Sequence, residues 1–323
     1  MAIITLDHIV ILVSPQVLDD LPTWLTSAFT ITDGGTHSNG ITKNKLIFFQ
    51  DGVYIELIAF VEGTSPPDRA STRWGQRTEG QVVDFALTLL PPEQLVGDFN
   101  PENVFRTEIQ TRVREAQNEF EYADPAAGGR TTPDGTELRW AVAVPRRVTG
   151  ESVEGELPFW CLDRTPRDLR VPFKRNRGAT EHKCEAVGVC TLELFVKGEE
   201  DILKVRAVYE TFLRKRPWIY GSALGWKGFS HQKDELFSKG SWDVEVPERV
   251  IGNEVATRLI LRGWGQDPLG KNGASSKQVE AESSSGDERP VRISIALFTN
   301  GPSRVVSGEV ASGRVLEIKL ISV

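Results

Sequence analysis

The sequence predicts an α+β protein built from tandem βαβββ modules, with an additional αβ module at the C-terminal end. Three observations carry that expectation. Short β-branched runs and a helically spaced run follow one another in the order strand, helix, strands. The same order returns further along the chain, and repeats of this kind fix an architecture. A third strand–helix start follows the second.

In the first unit, Ile3 to Ser14 is apolar, β-branched and ended by Ser14-Pro15, which predicts a strand. Pro15 to Phe29 then has helical spacing, with Val17, Leu18, Leu21, Trp24, Leu25 and Phe29 on one side. Ser14 is placed to cap it, with Pro15 at the first helical position. Gly34-Gly35 and Asn39-Gly40 supply turns. Lys45 to Gln50 and Val53 to Val61 predict two strands joined by the hairpin pair Asp51-Gly52. In the second unit, Val82 to Leu90 is a strand and Pro101 to Phe120 is helical. The run 128–135 echoes 34–40 before the strands Glu137 to Val144 and Leu157 to Asp163. The period is about 95 residues. Gly188 to Val196 and the amphipathic Glu199 to Leu213 open the third module, with later strands at 256–262, 292–298 and 315–321. Residues 265–290, rich in Ser, Gly, Lys and Glu, are expected to be a flexible insertion. The expected division is 1–178 for the paired modules (1–80 and 81–178) and 179–323 for the third.

Composition bounds the function. A formal net charge of -7 over 323 residues argues against a nucleic-acid partner. No run is long and apolar enough for a membrane span, and the N-terminus lacks the pattern of a signal peptide. Cys161, Cys184 and Cys190 are too few and odd in number for a disulfide framework, so a reducing, cytoplasmic location is expected. The basic cluster Arg164, Arg167, Arg170, Lys174, Arg175 and Arg177 reads as a solvated charged loop.

The segments LDHIVILV (6–13) and GGTHSNGITKNKLIFFQDGVYIELIAF (34–60) are followed in order by GGRTTPDGTELRWAV (128–142), ELPFWCLDRTPRDLRVP (156–172) and AVGVCTLELFV (186–196). Together they resemble the glyoxalase-like, fungal-like branch of the vicinal-oxygen-chelate superfamily. The resemblance implies that the modules pair into a curved, half-open barrel. It also implies a divalent metal, Fe2+, Zn2+ or Mn2+, held by strand residues, with His8 and Glu56 at the usual ligand positions and His182 as a further ligand.

The residues themselves support a site at His8 and Glu56. Both interrupt apolar strands, and a buried carboxylate needs a partner. A simple core hydrogen bond between the two is the competing explanation. His37 lies in a glycine-rich turn that aims its side chain, and His231 reads as surface. Asn44 would orient a substrate carbonyl or an imidazole, or else cap a turn. Arg139, aligned with Asn44 in the second module, would clamp a carboxylate or enolate, or else make a surface pair. In the same alignment Phe85 stands in the place of His8, and Leu162 and Asp163 near that of Glu56. The expected function is therefore an enzyme on a small oxygenated organic molecule: a lyase, an isomerase or a ring-cleaving dioxygenase. It would use a metal or acid/base chemistry at His8 and Glu56, with His37, Asn44 and Arg139 assisting. The alternative is a metal-free protein that binds and sequesters a small molecule.

Overall fold

The computed structural model describes residues 2–92, 98–151, 153–217, 238–250, 255–263 and 291–323. The first unit comprises β1 (Ile3–Leu12), α1 (Pro15–Asp19), α2 (Thr23–Ala28), β2 (Thr32–Thr36), β3 (Thr42–Phe48) and β4 (Tyr54–Phe60). Ser14 caps α1 by accepting the Val17 N–H, with Pro15 just inside. The helical run breaks at Pro22, so two short helices stand where one was expected. After α3 (Pro66–Ala70), the second unit comprises β5 (Gln81–Leu90), α4 (Pro101–Val104), a π-helical turn (Phe105–Gln110), α5 (Thr111–Glu115), β6 (Phe120–Tyr122), β7 (Ala126–Thr131), β8 (Glu137–Ala143), β9 (Pro145–Arg147) and β10 (Phe159–Asp163). The chain continues through α6 (Arg167–Arg170), β11 (Ala186–Val196), α7 (Glu199–Leu213), β12 (Ser238–Val244), β13 (Thr257–Gly263), β14 (Val291–Thr299), β15 (Arg304–Ala311) and β16 (Arg314–Ser322).

The first sheet has eight strands in the order β2-β3-β4-β1-β5-β10-β8-β7. Its two halves are the two βαβββ modules, joined where β1 runs antiparallel to β5. In each half the fourth strand lies parallel to the first: β4 on β1 and β10 on β5. The sheet curves until its outer strands meet. His37 bridges Arg130, the Ser38 N–H donates to the Gly129 carbonyl at 2.9 Å, and Arg130 Nη1 donates to the Gly34 carbonyl. The result is a nearly closed barrel.

Alternation along the strands sorts side chains to two faces. Ile9, Ile11, Ile55, Leu57, Phe85, Trp160 and Leu162 face outward into a large core. Val10, Leu12, Ile58, Phe60, Leu138, Trp140, Phe159 and Cys161 face the cup. The outer core also takes Ile202, Val205, Val208, Tyr209 and Phe212 from α7, the expected buried stripe. Each such side chain contributes about 1.5–3 kcal/mol when fully buried. No described helix is long and apolar enough to cross a membrane.

The second sheet, β12-β13-β11-β14-β16-β15, repeats the inner six strands of the first. Its centre is again an antiparallel pair, β11 with β14. Each is flanked by a parallel strand, β13 and β16 respectively. The third module is thus followed by a shortened fourth unit. The two sheets are tied at Asp51, whose carboxylate accepts the N–H of Val53 at 2.9 Å and of Val189, on β11, at 2.7 Å. Gly188 permits this contact, since a Cβ there would lie 2.5 Å from Asp51 Oδ2. Burial raises the Asp51 pKa to about 7, against the lowering effect of those two N–H bonds. The expected insertion at 265–290 and His231 lie outside the described residues.

Candidate active site in the cup of the first sheet

The β1–β5 ladder carries two bulges, and they decide which residues are equivalent. Leu6 and His8 oppose the adjacent residues Leu87 and Ala86, leaving Asp7 unpaired; Val10 and Ile11 oppose Asp84 and Val82, leaving Val83 unpaired. Placing one bulge on the other equates His8 with Asp84 and Val10 with Ala86. Val10 pairs Glu56 and Ala86 pairs Phe159, so Glu56 corresponds to Phe159. One strand further out, Asn44 pairs Ile58 and Val142 pairs Cys161, so Asn44 corresponds to Val142. The sequence alignment is therefore corrected: Asp84, not Phe85, is the counterpart of His8, and Leu162 points away from the cup.

The first module furnishes the polar half. His8 Nδ1 donates to the Asp7 carboxylate at 2.6 Å, which leaves Nε2 directed at Glu56 Oε2, 3.5 Å away. The His8 ring stacks on Tyr54 at 4.7 Å and meets Phe159 edge-on at 5.3 Å. His37 Nε2 lies 3.6 Å from Glu56 Oε1, and its Nδ1 contacts Thr42 Oγ1 at 2.8 Å. Asn44 Nδ2 donates to Glu56 Oε1 at 2.6 Å, while its Oδ1 is buried without a partner against Gly34. Both 3.5–3.6 Å gaps are too long for direct hydrogen bonds. They leave the facing nitrogens and oxygens open to a third group.

Beneath His8 lies a buried ion network. Asp7 accepts from Arg167 and from both terminal nitrogens of Arg170, at 3.0 and 3.1 Å. Arg170 also holds Asp163, at 2.6 and 2.9 Å, and donates to the Tyr54 hydroxyl at 2.8 Å. Burial alone would raise the Asp7 pKa, but the two guanidiniums and His8 hold it well below the usual carboxylate range. Asp7 is therefore ionised and fixes the His8 tautomer. This corrects the solvated-loop expectation for Arg167 and Arg170: Arg170 is buried and Arg167 largely so. Arg164, Lys174 and Arg175 are exposed, as expected.

The second module furnishes a different half. Asp84 is fully buried and accepts from Arg73 Nε and from Trp74 Nε1, at 3.0 Å. Arg73 lies over the Phe159 ring at 4.8 Å. Apart from Arg130 on β7, the rest of this wall is apolar, made by Trp140, Val142 and Phe159.

The model of the glyoxalase-like domain matches residues 6–207 of this chain. The chain belongs to the glyoxalase-like domain family. That places it in the vicinal-oxygen-chelate superfamily, with the paired-module barrel just described. Among solved structures, this glyoxalase-like chain is similar to a hypothetical protein from Staphylococcus aureus. The TM-score is 0.61 and the identity 11%, covering 99% of this chain and 100% of that one. A xylose isomerase-like TIM barrel/4-hydroxyphenylpyruvate dioxygenase fusion protein also aligns. Its TM-score is 0.42 and its identity 12%, covering 92% of this chain and 37% of that one. No curated protein matches significantly.

Within this glyoxalase-like cup the structure brings His8, Glu56, His37 and Asn44 together. Two expected residues lie elsewhere. His182 is buried between Phe29 and Phe49 on the outer side. Its Nδ1 accepts the Thr30 N–H at 3.1 Å and its Nε2 donates to the Phe48 carbonyl at 3.0 Å. Burial lowers its pKa to about 4 despite that carbonyl, so it is neutral with both nitrogens engaged and has none left for a metal. Arg139 is exposed, on the face of β8 opposite Leu138 and Trp140. Asp7, Tyr54, Asp84 and Arg130 are cup residues that sequence reasoning missed. For Asp7 a signal existed: it directly precedes His8 in an apolar strand.

The donors decide what a metal would find here. Among the described residues, the His/Cys/Asp/Glu trio with ligand atoms all within 4.8 Å of one another is Asp7, His8 and Cys161. That trio does not fit an ion, because Asp7 is already neutralised by two guanidiniums and burial holds the Cys161 thiol well above its usual pKa. His8 Nε2 and Glu56 do fit. The Asp7–His8 bond is the carboxylate–imidazole arrangement that orients metal-bound histidines. They make an open two-ligand position, not a closed structural site.

Proposed function

We propose that this chain is a vicinal-oxygen-chelate-type enzyme of the lyase or isomerase kind. It would act on a small oxygenated organic molecule by proton transfer at His8 and Glu56. The observation that carries the reading is the approach of two imidazole Nε2 atoms to the two oxygens of one buried carboxylate, at 3.5 and 3.6 Å. Such a cluster sets two imidazoles and a carboxylate around one point, the kind of groups that general acid–base catalysis uses. Asp7 holds His8 with Nε2 toward the cup. Asn44 fixes Glu56 Oε1, leaving Oε2 as the oxygen placed to take a proton from a carbon next to a carbonyl. His37 shows 18% of its side chain to solvent and stands where a proton can leave for water. Burial lowers the His37 pKa, with Glu56 acting in the opposite direction, so His37 is neutral and ready to accept. A divalent ion held by His8 and Glu56 would polarise adjacent substrate oxygens as a Lewis acid.

The test is hydrogen exchange on carbon. Wild type and Glu56→Gln are incubated in 2H2O with a panel of α-hydroxyketones and α-ketoaldehydes, and deuterium uptake is read by mass spectrometry. Uptake with wild type that falls about 10²-fold or more in the variant is the expected result. Metal analysis of wild type and His8→Ala shows whether an ion takes part.

A second reading has its own support: the apolar wall of Phe159, Val142 and Trp140 suits a protein that sequesters a small molecule. Tight binding of a hydrophobic compound recovered unchanged, without exchange in any panel member, would favour it over the enzyme.

A further inference from the structure

Arg130 is the unexplained charge of the cup. It pairs across β7–β8 with Leu138, which faces the cup, so the two side chains share that face. The residue is only 7% exposed. Every other deeply placed guanidinium here has its carboxylate: Arg170 has Asp7 and Asp163, Arg167 has Asp7, and Arg73 has Asp84. Arg130 has no carboxylate within 4 Å among the described residues. Its one hydrogen bond goes from Nη1 to the Gly34 carbonyl across the barrel seam. Glu56, Tyr54 and His37 are near enough to interact with it electrostatically. A guanidinium has five N–H donors, and no nitrogen of Arg130 is both wholly buried and without a partner, so the donors that Gly34 does not take stay open to solvent. A nearly buried cation with no carboxylate of its own and donors still open is completed by an anion that enters from solvent.

We propose that Arg130 is the anchor for a carboxylate on the substrate, so that the ligand class is a small carboxylic acid with an apolar body. This rests on the proposed site and names what the site accepts. The placement follows from the fold. Arg130 on β7 is bridged to His37, which directly follows β2, so an acid gripped by Arg130 would lie beside the His37–Glu56–His8 cluster. Trp140, Leu138 and Phe159 offer the body an apolar surface. The carboxylate recognises the planar fork of Arg130. A dianion such as phosphate is less suited, since Glu56 already brings negative charge to the same chamber.

Binding, read without turnover, tests the proposal separately from the proton-transfer chemistry. Benzoate and mandelate are titrated calorimetrically into wild type, with benzamide and mandelamide as neutral twins and inorganic phosphate as the dianion control. The expected result is that an acid binds at least tenfold more tightly than its amide and than phosphate. Arg130→Gln should remove that preference and Arg130→Lys should keep part of it. Glu56→Gln should still bind the acid. The comparison of acid with amide on wild type needs no variant, so it stands even where Arg130→Gln loosens the seam. Equal affinity for acid and amide, no measurable binding of either acid, or an undiminished preference in folded Arg130→Gln would each overturn the proposal. Exchange activity lost in Glu56→Gln while acids fail to bind wild type would leave the enzyme reading standing without this one.

Discussion

The two modules of the first sheet have the same strand order, the same parallel pairing and a bulge at the same place, yet they furnish the cup with opposite chemistry. The first puts His8, Glu56 and Asn44 at positions where the second puts Asp84, Phe159 and Val142. The scaffold therefore fixes where side chains meet but not what they do there. In one half, polar groups converge with gaps between them. In the other, Asp84 is already closed off by Arg73 and Trp74 and Asp163 by Arg170, and apart from Arg130 the remainder is apolar. On the proposed function, proton chemistry would belong to the first half and shape mainly to the second.

Substitutions at equivalent positions can break that comparison. The largest effect is expected at the Glu56/Phe159 pair. Glu56→Gln should lower turnover about 10²- to 10⁴-fold, while Phe159→Leu should change it less than about tenfold. Equal losses in a steady-state assay would erase the division of labour.

The two acidic positions beside the bulges come next. Asp7 balances two guanidiniums, so Asp7→Asn should cost about 3–5 kcal/mol in urea denaturation. Asp84 answers one guanidinium that is partly exposed, and Asp84→Asn should cost less, about 1–3 kcal/mol.

The joint between the two sheets should show a pH dependence of its own. Asp51 has its pKa raised from the ordinary 3.8 to about 7. Between those values the unfolded chain has released a proton that the folded one keeps. Stability should therefore fall as pH rises through that window and level off above it, by about 2–4 kcal/mol from this group. Asp51→Asn should flatten that part of the profile. A variant profile parallel to wild type would show that the Asp51 carboxyl is ionised throughout.

The smallest effects are expected at two glycines on the outer strands. A Cβ at Gly34 would lie 1.9 Å from Asn44 Oδ1, and one at Gly128 would lie 2.6 Å from Trp140 Nε1. Gly34→Ala should displace Asn44 from Glu56 and reduce kcat by about tenfold. Gly128→Ala should tilt the indole and act mainly on KM.

Much of this architecture was legible in the chain. The strand at 3–12, the Ser14 cap, the Asp51-Gly52 hairpin and the stripe on 199–213 are local patterns, and local patterns survive into the structure. The site was half legible for the same reason: His8 and Glu56 are polar interruptions of apolar strands. What stayed hidden depends on register. A bulge shifts alternation by one residue, so Phe85 read as the counterpart of His8 when Asp84 is. Arg139 and Arg130 are both arginines near a turn, and only strand pairing shows which one faces the cup. Arg167 and Arg170 read as solvent-facing because their partner, Asp7, is more than 150 residues away. The mirrored half of the second sheet was hidden because β14, β15 and β16 follow one another without the helix that marks a module start.

The seam between β2 and β7 has a last consequence. His37 and Arg130 close the ring and are also the residues proposed to meet the ligand, so the latch and the grip would be one structure. A ligand that draws on Arg130 pulls on the Gly34 carbonyl, and through the neighbouring turn on the Ser38 amide. If an acid binds Arg130 as proposed, that amide becomes a gauge of occupancy: its exchange with solvent should slow when the cup fills and quicken when it empties.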